Sequence, residues 1–316
     1  MSTRKFEIDR RRFMEGAGVA GASLALGQLA ALEALAAEMM TMDTRPIPST
    51  GERLPIVGVG TSRVFNVTLN TETRARLGGV LKVMLAAGGT VIDTANGYRR
   101  AEGVAGRLVT ELDIRDKVFI ATKIGANDRE DGLAQIRNSL KLFNTKKIEL
   151  MQIHNLRDWR TQIKTLRAMK EKGVFKYIGV THYDTDPEDE IARIIANEKI
   201  DFFQFPYSIA RREGDKRILP LAREKGVAIL THRNFGRGAL FRQVRGHKVP
   251  EWAAREYDIK SWAQFFLKFV IAHPAHTTVI PGTSKIHHMR DNVRAGMGRM
   301  PDAAGRERMA KHMTSL

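Results

Sequence analysis

Short apolar runs rich in β-branched residues alternate along this chain with longer stretches in which apolar side chains return every three or four positions. Such runs read as buried strands and such stretches as amphipathic helices. The strand-like runs fall at 56–60, 91–93, 118–122, 150–153, 177–180, 202–204, 228–230 and 278–280, after a hairpin predicted over 45–56. Between them, helical periodicity covers 71–87, 132–142, 159–172, 188–197, 215–225 and 261–272. Several of these stretches end in Gly or Asn, as helix stops do. Eight strand–helix units over one continuous stretch predict an α/β chain closed as a (β/α)8 TIM barrel with an N-terminal hairpin. An open doubly wound sheet is the competing topology, but no G-x-G-x-x-G opens the first helix, where a Rossmann nucleotide site needs it.

In such a barrel the ends of the strands converge on one face, and chemistry belongs there. Read in order, those positions hold Gly60 and Thr61, Asp93, Lys123, His154, Thr181 and His182, Gln204, His232, and Gly282 and Thr283. Tyr98 follows Asp93 on the same loop. A lone Asp after a strand is commonly a helix cap and a lone buried His is usually just hydrogen-bonded. Asp93, Tyr98, Lys123 and His154 on one rim are a different matter, because together they can place, charge and orient a proton donor.

At these residues the chain resembles the aldo-keto reductases. The family's D-T-A-x-x-Y element is met by Asp93-Thr94-Ala95-Asn96-Gly97-Tyr98, with Glu102 soon after. Its strand ending in lysine is met at Lys123 and its strand ending in histidine at His154. Further elements are echoed by Gly179-Val180-Thr181-His182, by Gln204-Phe205-Pro206-Tyr207-Ser208 and by Phe235-Gly236-Arg237-Gly238. Ile280-Pro281-Gly282-Thr283-Ser284-Lys285, with His288 and Asn292, is similar to the family's nucleotide-phosphate segment.

The resemblance implies reduction of an aldehyde or ketone by a nicotinamide nucleotide, or the reverse alcohol oxidation. Tyr98 would be the general acid, Lys123 would lower the cost of its phenolate, Asp93 would keep Lys123 charged and aimed, and His154 would orient the carbonyl. Gly60, Thr61, Thr181, His182, Gln204, His232, Gly236 and Gly238 would hold the nicotinamide and diphosphate. Gly282, Thr283, Ser284, Lys285, His288 and Asn292 would hold the adenosine end. Hydroxyls, an ammonium and a helix N-terminus suit a 2′-phosphate, so NADP(H) is expected over NAD(H). Three histidines depart from the family's pattern: His182 stands where Asn is usual, His232 where many members have a larger aromatic ring, and His288 where many have Arg. No metal is expected.

Composition changes the picture in two places. The 316 residues contain no cysteine, which removes disulfides, thiolate metal sites and cysteine nucleophiles. The formal net charge is +17. Its Lys and Arg are scattered among helices without an arginine tract or zinc-finger spacing, so a solvated surface is expected and not nucleic-acid binding. Arg157, Arg211, Arg212, Arg233 and Arg237 are predicted near the barrel mouth, where they suit either cofactor phosphates or an anionic carbonyl substrate.

The N-terminus carries an address. Arg10-Arg11-Arg12-Phe13-Met14 precedes a Gly- and Ala-rich core reaching about Leu32, and Ala34-Leu35-Ala36 offers small residues for cleavage. This resembles a twin-arginine signal, so residues 1–36 are expected to be a cleavable leader read by the twin-arginine export machinery, with 37–316 as the barrel and a periplasmic or otherwise exported destination. The core is too short and weak for a permanent membrane span. The leader holds five basic and four acidic side chains, so the remainder keeps a net charge of +16. Two other readings compete with an exported reductase. An exported, nucleotide-bound sensor would use the same barrel without turnover, and an exported hydrolase would need a carboxylate pair, of which only Asp93 stands at the mouth.

Overall fold

The first described elements are an antiparallel hairpin, β1 (Thr44–Pro46) and β2 (Arg53–Pro55), in a computed structural model that describes residues 42–316. The predicted leader and its cleavage site lie outside the described residues. The hairpin seals the floor of the barrel: Ile47 and Leu54 are buried against Phe119, Tyr177 and Phe202. Its tip is tied down by polar contacts, since the Thr50 hydroxyl lies 2.7 Å from that of Tyr177, which also donates to Glu52.

Eight parallel strands follow, each paired to the next in chain order. They are β3 (Val59–Gly60), β4 (Val91–Asp93), β5 (Phe119–Ile124), β6 (Ile148–His154), β7 (Phe175–Thr181), β8 (Phe202–Pro206), β9 (Ala228–His232) and β10 (Thr278–Val279). The first and last meet through a parallel bridge between Val57 and Val279. There the Gly58 N–H donates to the Val279 carbonyl at 2.8 Å, and the Val279 N–H donates to that of Ile56 at 2.9 Å. The sheet is thereby closed as the predicted (β/α)8 barrel. Closure is tight enough that a Cβ on Gly60 would sit 2.7 Å from the Ile280 carbonyl oxygen, which explains a glycine there.

Between the strands run α1 (Thr71–Ala86), α2 (Ala101–Glu111), α3 (Arg129–Leu142), α4 (Trp159–Glu171), α5 (Glu188–Asn197) and α6 (Ile218–Glu224). After β9 come α7 (Ala239–Gln243), α8 (Glu251–Tyr257) and α9 (Trp262–Ile271), and after β10 come α10 (Ile286–Arg294) and α11 (Ala303–Thr314). Their apolar faces form the large outer core with the outward side chains of the strands. The inward side chains Val91, Phe119, Ala121, Leu150, Tyr177, Phe202, Ala228 and Leu230 form a separate, smaller core inside the barrel. This inner stack fills only the lower levels. At the top the inward positions are polar: Asp93, Lys123, Gln152, Gln204 and His232.

The elements differ from the periodicity in particular places. Helix α3 starts three residues earlier than the apolar pattern suggests, because Asp128 caps it by accepting from the Asp131 N–H at 2.9 Å. Residues 213–215 are a 3₁₀ turn, so α6 is shorter than its predicted stretch. After α10 the chain builds α11 behind an Asp302 cap, outside the strand–helix repeat. Arg306 anchors that helix by donating to the Phe269 carbonyl at 3.0 Å and the Tyr207 hydroxyl at 2.7 Å. Among the described residues, no helix is long and apolar enough to cross a membrane.

Candidate active site

The rim of the barrel encloses a cavity of about 430 Å³, lined in its depth by Asp93, Tyr98, His154, Thr181, Gln204 and His232. Parallel pairing sets this arrangement. Asp93, His154, Thr181 and His232 are each the last residue of their strands, while Lys123 and Gln204 sit one and two residues from the ends of theirs.

Lys123 is the centre of the polar layer. It is fully buried, and its ammonium donates to Asp93 Oδ1 at 2.7 Å and to the Thr94 carbonyl at 2.6 Å. Burial works against the ammonium, but the Asp93 carboxylate and the nearby phenol outweigh it and hold the lysine pKa above its ordinary value. Behind this pair lies buried Glu102, which accepts from the Thr122 and Ser139 hydroxyls and has its pKa raised, first of all by burial. Gln152 donates to Gln204 at 2.8 Å, bracing the side of the layer nearest β6 and β8.

Tyr98 reaches this layer from the β4–α2 loop. Lys123 Nζ lies 5.1 Å from its ring centroid, and His154 packs edge-on to the ring at 5.5 Å. Burial pushes the phenol pKa above 10, and the pull of Lys123 in the other direction does not cancel it. The phenol therefore carries its proton at neutral pH, close to a fixed positive charge. His154 is pushed down to about 3, mainly by burial and then by Lys123 and Arg157, so its imidazole is neutral. His232 is likewise held at about 3, burial again being the largest cause.

Three buried polar atoms of predicted site residues have no partner among the described residues: Thr61 Oγ1, Gln204 Nε2 and His232 Nδ1. Buried polar groups are nearly always satisfied, and of these three atoms those of Gln204 and His232 belong to residues that line the cavity, where a polar ligand can meet them. An amide donor and an imidazole nitrogen on one wall fit a carboxamide such as nicotinamide's. His182 takes no part in that wall. Its ring Nδ1 lies 2.8 Å from the Asp184 carbonyl and accepts from the Asp184 N–H, and the imidazole stacks on Tyr183, fastening its own loop.

Gly236 and Gly238 flank Arg237 in a turn where all three residues have positive φ, at 56°, 54° and 91°. Only glycine adopts this freely, and the turn presents the Arg237 side chain to the cavity. Gly60 and Gly282 line the opposite edge. A second cavity of about 310 Å³ continues beyond Gly282, walled by Phe235, Phe241 and Trp262 on one side and by Thr283, His288, Asp291 and Asn292 on the other. Ser284 and Lys285 follow Thr283 in the chain without lining this cavity, and Thr283 Oγ1 accepts from the Lys285 N–H at 3.1 Å. The two cavities meet at Gly282, and each holds predicted nucleotide-binding residues.

Sequence reasoning missed some of the lining. Ser62, Arg63 and Val64 belong to the cavity through the β3–α1 loop, and Asn155 and Tyr183 through the loops after β6 and β7. All follow barrel strands directly, a positional signal as clear as the one used for Thr61 and His182. Of the five arginines placed near the mouth, Arg233 and Arg237 line it, whereas Arg157 donates to the Gly125 carbonyl at 3.1 Å. Arg211 and Arg212 are engaged by Asp184 and Asp215.

A buried ion pair behind a phenol, an imidazole beside it and a bipartite cleft at the strand ends make up the site. Residues 56–304 match the model of the Aldo/keto reductase family, and the chain belongs to that family. Among curated relatives, it is 26% identical over 246 residues to aldo-keto reductase YhdN of Bacillus subtilis, covering 72% of this chain and 71% of that one. It is 27% identical to aldo-keto reductase str7 of Strobilurus tenacellus, over 76% and 81% of the two chains. Among solved structures, a Klebsiella pneumoniae aldo-keto reductase in complex with NADPH superposes with a TM-score of 0.72 at 21% identity, covering 87% of this chain and 96% of that one. The thermostable aldo-keto reductase Tm1743, solved with the inhibitor epalrestat, superposes with a TM-score of 0.69 at 25% identity, over 87% and 99%.

Proposed function

We propose that this protein is an exported reductase that uses NADPH to convert an aldehyde or ketone to the alcohol, an activity of the alcohol:NAD(P) oxidoreductase class. The observation that carries the proposal is the placement of a protonated Tyr98 between Lys123 and His154 on the floor of a cavity whose other wall presents unpartnered Gln204 and His232 atoms.

A reduced nicotinamide supplies the hydride when bound; the chain supplies everything else. Gln204 and His232 offer the donor and acceptor that orient a carboxamide. His154, being neutral, donates one ring N–H to the carbonyl oxygen and fixes its direction. As negative charge grows on that oxygen, the Tyr98 hydroxyl passes it a proton, and the phenolate left behind is stabilised by the Lys123 ammonium. Asp93 keeps that ammonium in place. The carbonyl thus gains one hydride and one proton, and Tyr98 is reprotonated from solvent between turnovers.

Three observations bear on the ligands. The hydroxyls and ammonium of Thr283, Ser284 and Lys285 favour a 2′-phosphate, and the Klebsiella neighbour's complex with NADPH agrees with that preference. Arg63, Arg233 and Arg237 line the mouth without an ion pair among the described residues, and they suit a carboxylated or phosphorylated carbonyl compound as well as the cofactor's diphosphate. The twin-arginine leader supports export in the folded state, a route by which the protein leaves with nucleotide already bound.

The test is to incubate the purified protein with NADPH and a panel of neutral and anionic aldehydes, ketones and keto-sugars, and to follow loss of the reduced nicotinamide. Consumption with at least one carbonyl compound, fastest with anionic members, is expected. Tight nucleotide binding with no turnover across the panel would favour the sensor reading. A reporter fused behind residues 1–36 is expected to reach the periplasm and to be retained in the cytoplasm when Arg10 and Arg11 are both replaced by Lys.

A further inference from the structure

We infer that Arg76, on α1, is a specificity-determining residue that grips the 2′-phosphate of the nucleotide with Ser284 and Lys285, providing from another helix the guanidinium that His288 does not. The inference rests on the nucleotide reading above and goes beyond it, since no part of the phosphate-binding pattern includes α1.

Helix α1 packs directly on α10, and their contact is made close by Gly79: a Cβ there would lie 2.5 Å from Ile286 Cδ1. Arg76 stands three residues before Gly79, on the same face of α1. It therefore arrives beside the segment that leads into α10, and its Nη1 donates to Ser284 Oγ at 3.3 Å. Among the described residues nothing else claims this guanidinium. Arg74, two residues away, is committed to Glu111 at 2.8 Å, whereas Arg76 has no ion pair among the described residues and its buried Nε has no partner.

A guanidinium carries five N–H donors, and a single long bond to a hydroxyl leaves most of them free. The group next to it is rich in the complementary pieces for a phosphate: the Ser284 hydroxyl, the Lys285 ammonium and the start of α10, whose first turn has no side-chain cap. His288, by contrast, is largely exposed and meets His287 edge-on with centroids 4.4 Å apart, and its pKa is lowered by partial burial and by His287 and Lys285. A neutral imidazole is a poor phosphate ligand. The positive charge that a 2′-phosphate requires comes from Arg76 and Lys285.

The experiment measures binding and needs no turnover. The full chain is titrated by calorimetry with 2′,5′-ADP and with 5′-ADP, which differ only in the phosphate at issue, and the titrations are repeated on Arg76→Ala and Arg76→Lys. Wild type is expected to prefer 2′,5′-ADP. Arg76→Ala should weaken 2′,5′-ADP by about 10- to 100-fold, the worth of a charge-assisted hydrogen bond, and change 5′-ADP by less than about twofold. Arg76→Lys should fall between the two proteins, because it keeps the charge and loses the fork. An unchanged preference in Arg76→Ala, or equal losses for both ligands, overturns the inference and leaves the nucleotide reading standing. If wild type binds neither ligand, or binds 5′-ADP as well as 2′,5′-ADP, the NADPH reading fails and the inference with it. Unliganded melting temperatures within about two degrees of wild type are expected of both variants, so that a loss confined to 2′,5′-ADP cannot come from unfolding.

Discussion

Lys123 shows how much one side chain is asked to do in this barrel. It is buried beside a buried carboxylate, it touches the phenol that carries the transferable proton, and its charge depresses the pKa of His154. A buried ion pair of this kind owes its persistence to mutual compensation: taking both charges out of water is costly, and removing one partner strands the other. Lys123→Met should therefore destabilise the fold by about 3 to 5 kcal/mol, measured by denaturant unfolding, because Asp93 is left alone in the interior. A loss under about 1 kcal/mol would mean that Asp93 is not held as a carboxylate by this lysine. At this scale the sequence is informative wherever a residue type is unusual for its position, and an acid, a lysine and a histidine at three consecutive strand ends are unusual. It is silent where function depends on rotamer. His182 and His232 look equivalent in the sequence, yet one ring turns back to fasten its own loop and the other faces the cavity with an unpartnered nitrogen.

At the scale of the element, the helices on the β9–β10 side depend on a polar residue that periodicity treats as an interruption. Lys268 lies inside the apolar run of α9 and is completely buried. Its ammonium donates to three backbone carbonyls, those of Tyr257, Met297 and Arg299, at 2.9, 2.7 and 2.8 Å. It thereby satisfies the end of α8 and the turn that follows α10, joining three segments that share no strand. Lys268→Met keeps most of the volume and leaves three carbonyls without a donor, so a loss of about 3 kcal/mol in unfolding free energy is expected. A neutral outcome would show that water reaches those carbonyls. The repeat of strand and helix was legible because each unit is patterned by a common requirement, one face to the barrel and one to solvent. Helix α2, inside the repeat, was not read from periodicity, and neither were α8 and α11, which are additions outside the repeat: the position of α11 follows from a cap and an anchor, Asp302 and Arg306, and apolar spacing does not announce it.

The molecule as a whole places an acid-sensitive set of histidines in a basic shell. His154, His232 and His273 are held neutral at about 3, 3 and 4, burial being the largest cause for each, and His276 is held well below the usual histidine range. The unfolded chain binds these protons at about 6.5, and the folded chain does not. Stability is therefore fully present above about pH 6.5 and is lost as the pH falls toward 4, with each histidine contributing a slope of about 1.4 kcal/mol per pH unit in that window. Thermal melts should show a lower Tm at pH 5 than at pH 7, and His276→Asn should flatten the dependence. A Tm that rises on acidification would contradict the burial of these rings. Charge elsewhere is spread over ion pairs on the outer helices, such as Arg74–Glu111 and Arg308–Glu256, whereas Arg63, Arg233 and Arg237 at the barrel mouth have no ion pair among the described residues.

The central claim is that the proton of Tyr98, next to Lys123 and His154, is the one delivered to a carbonyl oxygen. The most direct measurement compares wild type with Tyr98→Phe in two readouts on the same preparations: affinity for NADPH, and rate of NADPH oxidation with the best substrate of the panel. A variant that binds NADPH within about twofold of wild type while turning over at least about 100-fold more slowly is the predicted result, since general acid catalysis is worth roughly that much or more. A Tyr98→Phe protein that binds NADPH normally and reduces the same substrate at the wild-type rate would contradict the account.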